Sequence, residues 1–246
     1  MEIHLTITGF IVVFAAVLLT WLASSIIWPE IMPSPVESLQ FTAERWRTLL
    51  SDSLITLENT VLGFTIALIL AIATAWAGLA HPLARSVVDA LNTIVQSVSA
   101  LVWALFFLLL FGFSTNLPSI AVAGATAYPI LLSGILKGFD QALVDYGEAA
   151  ALIGARGRSF LRYVLLPASI PYIVASSRPA LGSALRISVV AEAFGAAGGM
   201  GYRLWIFYEL HEYRGFLGWA LALLVMMLLL DKTLLEPLER WSRKWL

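Results

Sequence analysis

Two arginines, Arg178 and Arg186, stand inside the long apolar run from Val164 to Gly195. Gly182 lies between them, so the three positions follow i, i+4, i+8 and share one face of a helix. A charge at the centre of a bilayer costs about 2.5–3.5 kcal/mol on insertion scales, so each one needs a compensating role. Two roles fit. The pair can form a cationic stripe lining a pathway for an anionic solute. Alternatively, Arg178 snorkels from a helix end while Arg186 pairs with a carboxylate such as Glu192. Gln96 and Ser99 add polar groups within another uncharged run, able to line the same pathway or to bond between helices.

No catalytic chemistry is legible. The chain has no cysteine and three histidines, His4, His81 and His211, which makes an all-imidazole metal site improbable. His211-Glu212 lacks the second histidine of a His-Glu-x-x-His zinc motif. Gly154 to Ser159 is basic and glycine-bearing, but it lacks the spacing and the lysine of a nucleotide-binding phosphate loop. No metal, cofactor or ATP site is expected in this chain, and nucleotide hydrolysis would have to come from another.

A second group of residues implies mechanical rather than chemical work. Asp145 and Glu148 have the spacing of a capping box, and Gly154 sits where a helix would stop in a left-handed C-cap. Between them the spacing predicts a helix from Tyr146 to Ile153, roughly 12 Å long. That is too short to cross a bilayer, yet Ala149, Ala150, Ala151, Leu152 and Ile153 make it almost free of charge. Such a helix needs a surface to bury itself in, and its alanines let a partner's backbone come close.

These groups must be positioned by membrane-spanning helices. Of 246 residues 60% are hydrophobic and only 13% are charged, against about 25% charged in soluble domains. A net charge of −1 leaves no basic field for nucleic acid. The fold expected is an all-α integral membrane protein, a single domain over 1–246 with about six spans. They fall at 5–28, 61–80, 90–113, 117–136, 164–195 and 215–234, with an extramembrane loop at 137–163. A cleaved leader at the first of these is disfavoured by the missing Lys or Arg before the apolar core. Val36 to Glu58 is charged and amphipathic, fitting a helix on the membrane surface or one packed on the bundle.

Orientation follows from the positive charges. With the N-terminus inside, the cytoplasmic side receives nine: Arg85, Lys137, Arg156, Arg158, Arg162, Lys232, Arg240, Arg243 and Lys244. The outer side receives four, Arg45, Arg47, Arg203 and Arg214. Both termini and the 137–163 loop are therefore expected in the cytoplasm.

Position by position, Glu148-Ala149-Ala150, Gly154, Val164, Leu166 and Pro167 resemble the EAA signature of the permease subunits of bacterial ABC importers. Further pieces resemble the permeases that serve nitrate, taurine, alkanesulfonate and thiamine-precursor uptake: Met32 to Pro35, Thr56 to Phe64, Arg178 with Val189 to Glu192 and Gly199 to Tyr202, and Leu238 to Arg240 with Trp245. In one respect the chain departs from them. Ser97 to Phe113 lacks the proline such permeases usually carry before a Phe-Gly segment.

The resemblance implies a type I importer permease in a bacterial inner membrane, paired with a second copy or a related chain. It implies an external substrate-binding protein and two cytoplasmic ATPase subunits that hold ATP and magnesium. Asp145, Glu148, Ala149, Ala150, Gly154, Leu166 and Pro167 would carry the coupling. Arg178 and Glu192 look like structural features common to such permeases. A secondary transporter or channel that does without ATP is the alternative, though no inverted repeat is visible. A membrane-embedded enzyme is a second alternative, and it would need clustered acid–base groups.

Overall fold

The computed structural model describes residues 2–152, 158–237 and 240. The chain runs α1 (Glu2–Ile27), α2 (Pro35–Glu44), α3 (Trp46–Gly78), α4 (Pro82–Ser97), α5 (Ala100–Phe111) and α6 (Leu117–Leu152). After α7 (Arg158–Phe160) and a π-helical turn (Leu161–Leu165) come α8 (Leu166–Gly195), α9 (Met200–Glu209), α10 (Tyr213–Leu230) and a second π-turn (Asp231–Leu235). Three single helices, α3, α6 and α10, are long and apolar enough to cross a membrane. Two bent pairs, α4 with α5 and α8 with α9, raise that to five, and α1 adds a further apolar helix.

The core is where α3, α6 and α8 meet, and it is built from small side chains. Ala67, Ala71 and Ala75 of α3 are buried together with Ala123, Ala127 and Leu131 of α6 and Ala180 and Ala184 of α8. Close approach is what small residues permit in a membrane, where apolarity alone drives no association. At Gly63 a Cβ would lie 2.4 Å from the Ile120 carbonyl, and at Gly134 2.3 Å from the Ser176 hydroxyl. A separate aromatic cluster, Phe41, Phe207 and Trp219 with Met200, joins α2, α9 and α10.

Several boundaries differ from the sequence reading. The charged stretch 36–58 is not one surface helix. It divides at Arg45, and its second part is the start of α3, packed on the bundle with Asp52 and Thr56 buried. Neither proline nor a free glycine interrupts residues 46–62, so the helix has no reason to stop before the apolar run.

The uncharged run 90–113 is not straight. Its two halves, α4 and α5, meet at 92°. The elbow forms without proline: Ser99 takes the N-cap position, and the Trp103 indole N–H reaches back to the Val95 carbonyl at 3.4 Å.

The fourth span does not end at 136. α6 continues as one helix of 36 residues to Leu152, so there is no separate helix beginning at Tyr146 and Asp145 is not its N-cap. The side chain of Asp145 instead accepts from Gln141 at 2.9 Å, one turn earlier in the same helix. Gly138 is a packing glycine, its Cα face pressed against Ser169 and Tyr172 of α8. Gly154 lies outside the described residues, as do Leu238, Glu239 and Trp245.

Candidate functional site

Leu166 and Pro167 open α8. Pro167 has no N–H to give the Tyr163 carbonyl, and the turn before it widens into a π-helix over Leu161–Leu165. From there α8 runs through Pro171 and Pro179 without ending. One stripe of it is left uncovered in this chain: Ala175, Pro179, Arg186 and Val190 are exposed, and Gly182 between them is half-buried. A Cβ built at Gly182 would meet nothing within 4 Å.

The two arginines part company here. Arg178 forms a two-pronged ion pair with Asp231 at the end of α10, Nε to Oδ1 and Nη2 to Oδ2, both at 2.9 Å. That fits a cation near one end of the bundle, neutralised by the neighbouring helix. Arg186 lies two turns further on, about 12 Å along the axis. Its Nε donates to the Gly182 carbonyl at 3.1 Å, and among the described residues no carboxylate is within ion-pair distance of it.

Glu192 is not Arg186's partner. It is fully buried and accepts from the Thr56 hydroxyl at 2.8 Å, the Asn59 amide at 2.9 Å and the Gly201 backbone N–H at 3.0 Å. Thr56 in turn accepts from the Met200 N–H at 2.8 Å. These two N–H groups open α9, whose N-cap, Gly199, has no side chain to satisfy them. The carboxyl of Glu192 from α8 and a hydroxyl from α3 do it instead, placing acceptor oxygens at the positive end of the α9 dipole. Gly199 has φ +106°, and a side chain there would press into the Glu192 carboxylate, 2.5 Å away. Glu192 is thus a structural bolt across the α8–α9 bend.

A second buried carboxylate, missed in the sequence, extends this bolt. Asp52 accepts from Arg203 Nε at 2.9 Å and from the Trp219 indole at 3.0 Å, tying α3 to α9 and α10. In helical projection it lies opposite Leu50 and Leu54, and those leucines are the exposed side of α3, so the apolar pattern of the stretch points away from the face that is buried. Ser188 points inward, buried, and does not share Arg186's face.

Gln96 and Ser99 flank the α4–α5 elbow, and both are exposed. Gln96 lines a cavity of about 170 Å³ together with Val98, Trp103, Thr126 and Pro129. At the far end of α6, Asp145, Glu148 and Ala149 are exposed beside uncovered apolar groups, Val144 at 77% and Leu152 at 88%. Ala150 lies in the same last turns of the helix. The structure therefore does not gather the sequence-derived residues into one site. It separates an apolar tip (145–152), an open stripe (Gly182, Arg186), an elbow (Gln96, Ser99) and a buried bolt (Glu192).

The fold is that of known importers. The crystal structure of an amino acid ABC transporter superposes with a TM-score of 0.70 at 20% identity, over 82% of this chain and 97% of that one. In sequence, the nitrate import permease NrtB of Synechococcus elongatus is 30% identical over 122 residues, 49% of this chain and 43% of the relative. This chain's match thus spans less than half of NrtB's length. The bicarbonate transport system permease CmpB of the same organism is 28% identical over 200 residues, 80% of this chain and 68% of the relative. Residues 63–234 match the family described as the binding-protein-dependent transport system inner membrane component, and the chain belongs to that family of ABC transporter permeases.

Proposed function

We propose that this chain, with a second copy or a related chain, forms the pathway by which an ATP-driven importer admits a small anionic nutrient of the nitrate, bicarbonate or sulfonate kind. The observation that carries the reading is Arg186. It sits in the interior of a spanning helix, on the uncovered stripe of α8, with no carboxylate beside it among the described residues. Facing lipid, such a charge would carry the full insertion cost. Facing a hydrated cleft between two subunits, it would attract anions strongly in a narrow low-dielectric path. Nitrate and bicarbonate, the solutes for which two relatives are named, are both small oxyanions.

On this reading a binding protein delivers the solute from outside. ATP and magnesium belong to two separate ATPase subunits that grip the tip of α6 at Glu148, Ala149, Ala150 and Leu152 and continue onto Gly154. The termini and that tip lie in the cytoplasm, as the positive charges suggest. The exposed apolar groups on the tip support a docking role, since a helix end with Val144 and Leu152 uncovered has surface to bury.

The test is uptake by the complete transporter in proteoliposomes with Arg186→Gln. The variant should assemble and hydrolyse ATP while uptake of nitrate and bicarbonate is lost. Undiminished uptake of every small anion tried would remove Arg186 from the pathway.

A further inference from the structure

α4 lies along α6 in an antiparallel register marked by three residue pairs, two of them bonded. Arg85 bonds Asp140, Asn92 bonds Ser133 (Nδ2 to Oγ, 2.8 Å), and Gln96 and Pro129 both line the 170 Å³ cavity. The paired numbers sum to the same value each time, so the two helices track each other without a slip. Between these contacts Val88, buried, packs into the α3–α6–α8 core.

Arg85 is the strongest of the contacts. Nη1 and Nη2 hold both oxygens of Asp140 at 3.1 and 2.9 Å, and Nε bonds Asp89 at 3.1 Å. A cation near the N-terminus of a helix opposes the helix dipole, and the i,i+4 pair with Asp89 returns only a weak stabilisation to α4 itself. The fork-like geometry instead fixes one helix against another.

Where the paired stretch ends, α4 stops and α6, though continuous, carries its internal proline at the same level. α4 ends in the 92° elbow at Ser97–Ala100, and opposite it Pro129 removes from α6 the N–H that the Ala125 carbonyl would use. The cavity between the elbow and Pro129 leaves room for both to flex. We infer that α4 and the part of α6 beyond Pro129 move as one braced lever, with Arg85–Asp140 as its brace and Pro129 with the elbow as a single hinge. Force applied at 145–152 thereby reaches Gln96 and Ser99. Arg85 is a positioning residue: it touches no solute and acts through α4. This rests on the coupling reading proposed above.

The test uses the complete transporter, comparing Arg85→Gln, Asp140→Asn and the exchanged pair Arg85→Asp/Asp140→Arg. The chain has no cysteine, so spin labels at Leu83→Cys and Leu109→Cys report whether α4 moves against α5. In the otherwise native chain that distance should shift when nucleotide binds, and in Asp140→Asn it should not. Uptake per ATP hydrolysed should fall by about fivefold in each single variant, the factor matching ~1 kcal/mol for a partly exposed pair. The exchanged pair should recover it, which a loss through misfolding would not explain. The brace is overturned if both single variants keep native uptake per ATP and native label shifts while Glu148→Ala is uncoupled. If Glu148→Ala itself stays coupled, the reading of the α6 tip fails and the brace falls with it.

Discussion

The Thr56 hydroxyl donates to the Glu192 carboxylate at 2.8 Å, joining α3 to α8 where both side chains are fully buried. Through the same two side chains the first N–H groups of α9 are satisfied. One carboxylate thus holds three helices, and Arg186 is left out of the arrangement.

That separation makes Arg186 and Glu192 distinguishable by mutation. Glu192→Ala strands Thr56, Asn59 and the Gly201 N–H without an acceptor, at about 1–3 kcal/mol for each buried group left unmade. Thermal unfolding of the purified chain should show a large loss. Arg186→Gln should leave unfolding unchanged, and adding it to Glu192→Ala should rescue nothing. Recovery of stability in the double variant would instead reveal an ion pair between them.

Glycines divide in the same way. Gly63→Ala forces a Cβ against the Ile120 carbonyl, a backbone atom that cannot turn aside, so folding should suffer as it does for overpacked cores, by about 1–3 kcal/mol. Gly182→Leu meets open space within the subunit and should fold normally. If the stripe around Arg186 is the solute path, the added side chain narrows it and uptake should drop with assembly intact. Equal expression of the two variants, read by fluorescence-detected gel filtration, would contradict the packing argument.

How much of this was legible beforehand depends on what each signal reports. Apolar length marks the runs that become long apolar helices, because that constraint is local and large, but not where those helices bend or end. The odd charges were found too, but their partners were not. Asp231 is 53 residues from Arg178, and Asp52 is 151 from Arg203, separations at which only the fold decides who meets whom. The capping-box spacing misleads. Asp145 and Glu148 look like the start of a short helix, yet α6 passes through both, and the side chain of Asp145 bonds Gln141 one turn earlier. The elbow at Ser97–Ala100 had no proline to announce it. It is held by a tryptophan indole bonded to a freed carbonyl, a contact that no pattern of residue types reveals.

Sidedness is a separate expectation. The chain lacks cysteine, so single labels can be read without background. Leu152→Cys at the tip of α6 and Leu210→Cys after α9 are both well exposed. An impermeant thiol reagent added to intact cells should modify Leu210→Cys and spare Leu152→Cys until the membrane is opened. Modification of both from outside would break the orientation drawn from the positive charges.

The tip of α6 supplies the last expectation. It projects as a continuous helix whose outer turns expose Val144, Tyr146 and Leu152 along with Asp145 and Glu148. Because the helix is unbroken back to Pro129, a partner gripping the tip moves a rigid rod rather than a flexible loop. Leu152→Asp places a charge on the apolar surface that a partner must cover, and a desolvated unpaired carboxylate there is costly. The ATPase should therefore no longer copurify with that variant. Glu148→Ala removes a charge but leaves the apolar grip, so the complex should still assemble while uptake per ATP collapses. The contrast is the informative part. Loss of the ATPase in both variants would mean that Glu148 only anchors, and full uptake in both would place the docking surface somewhere other than α6.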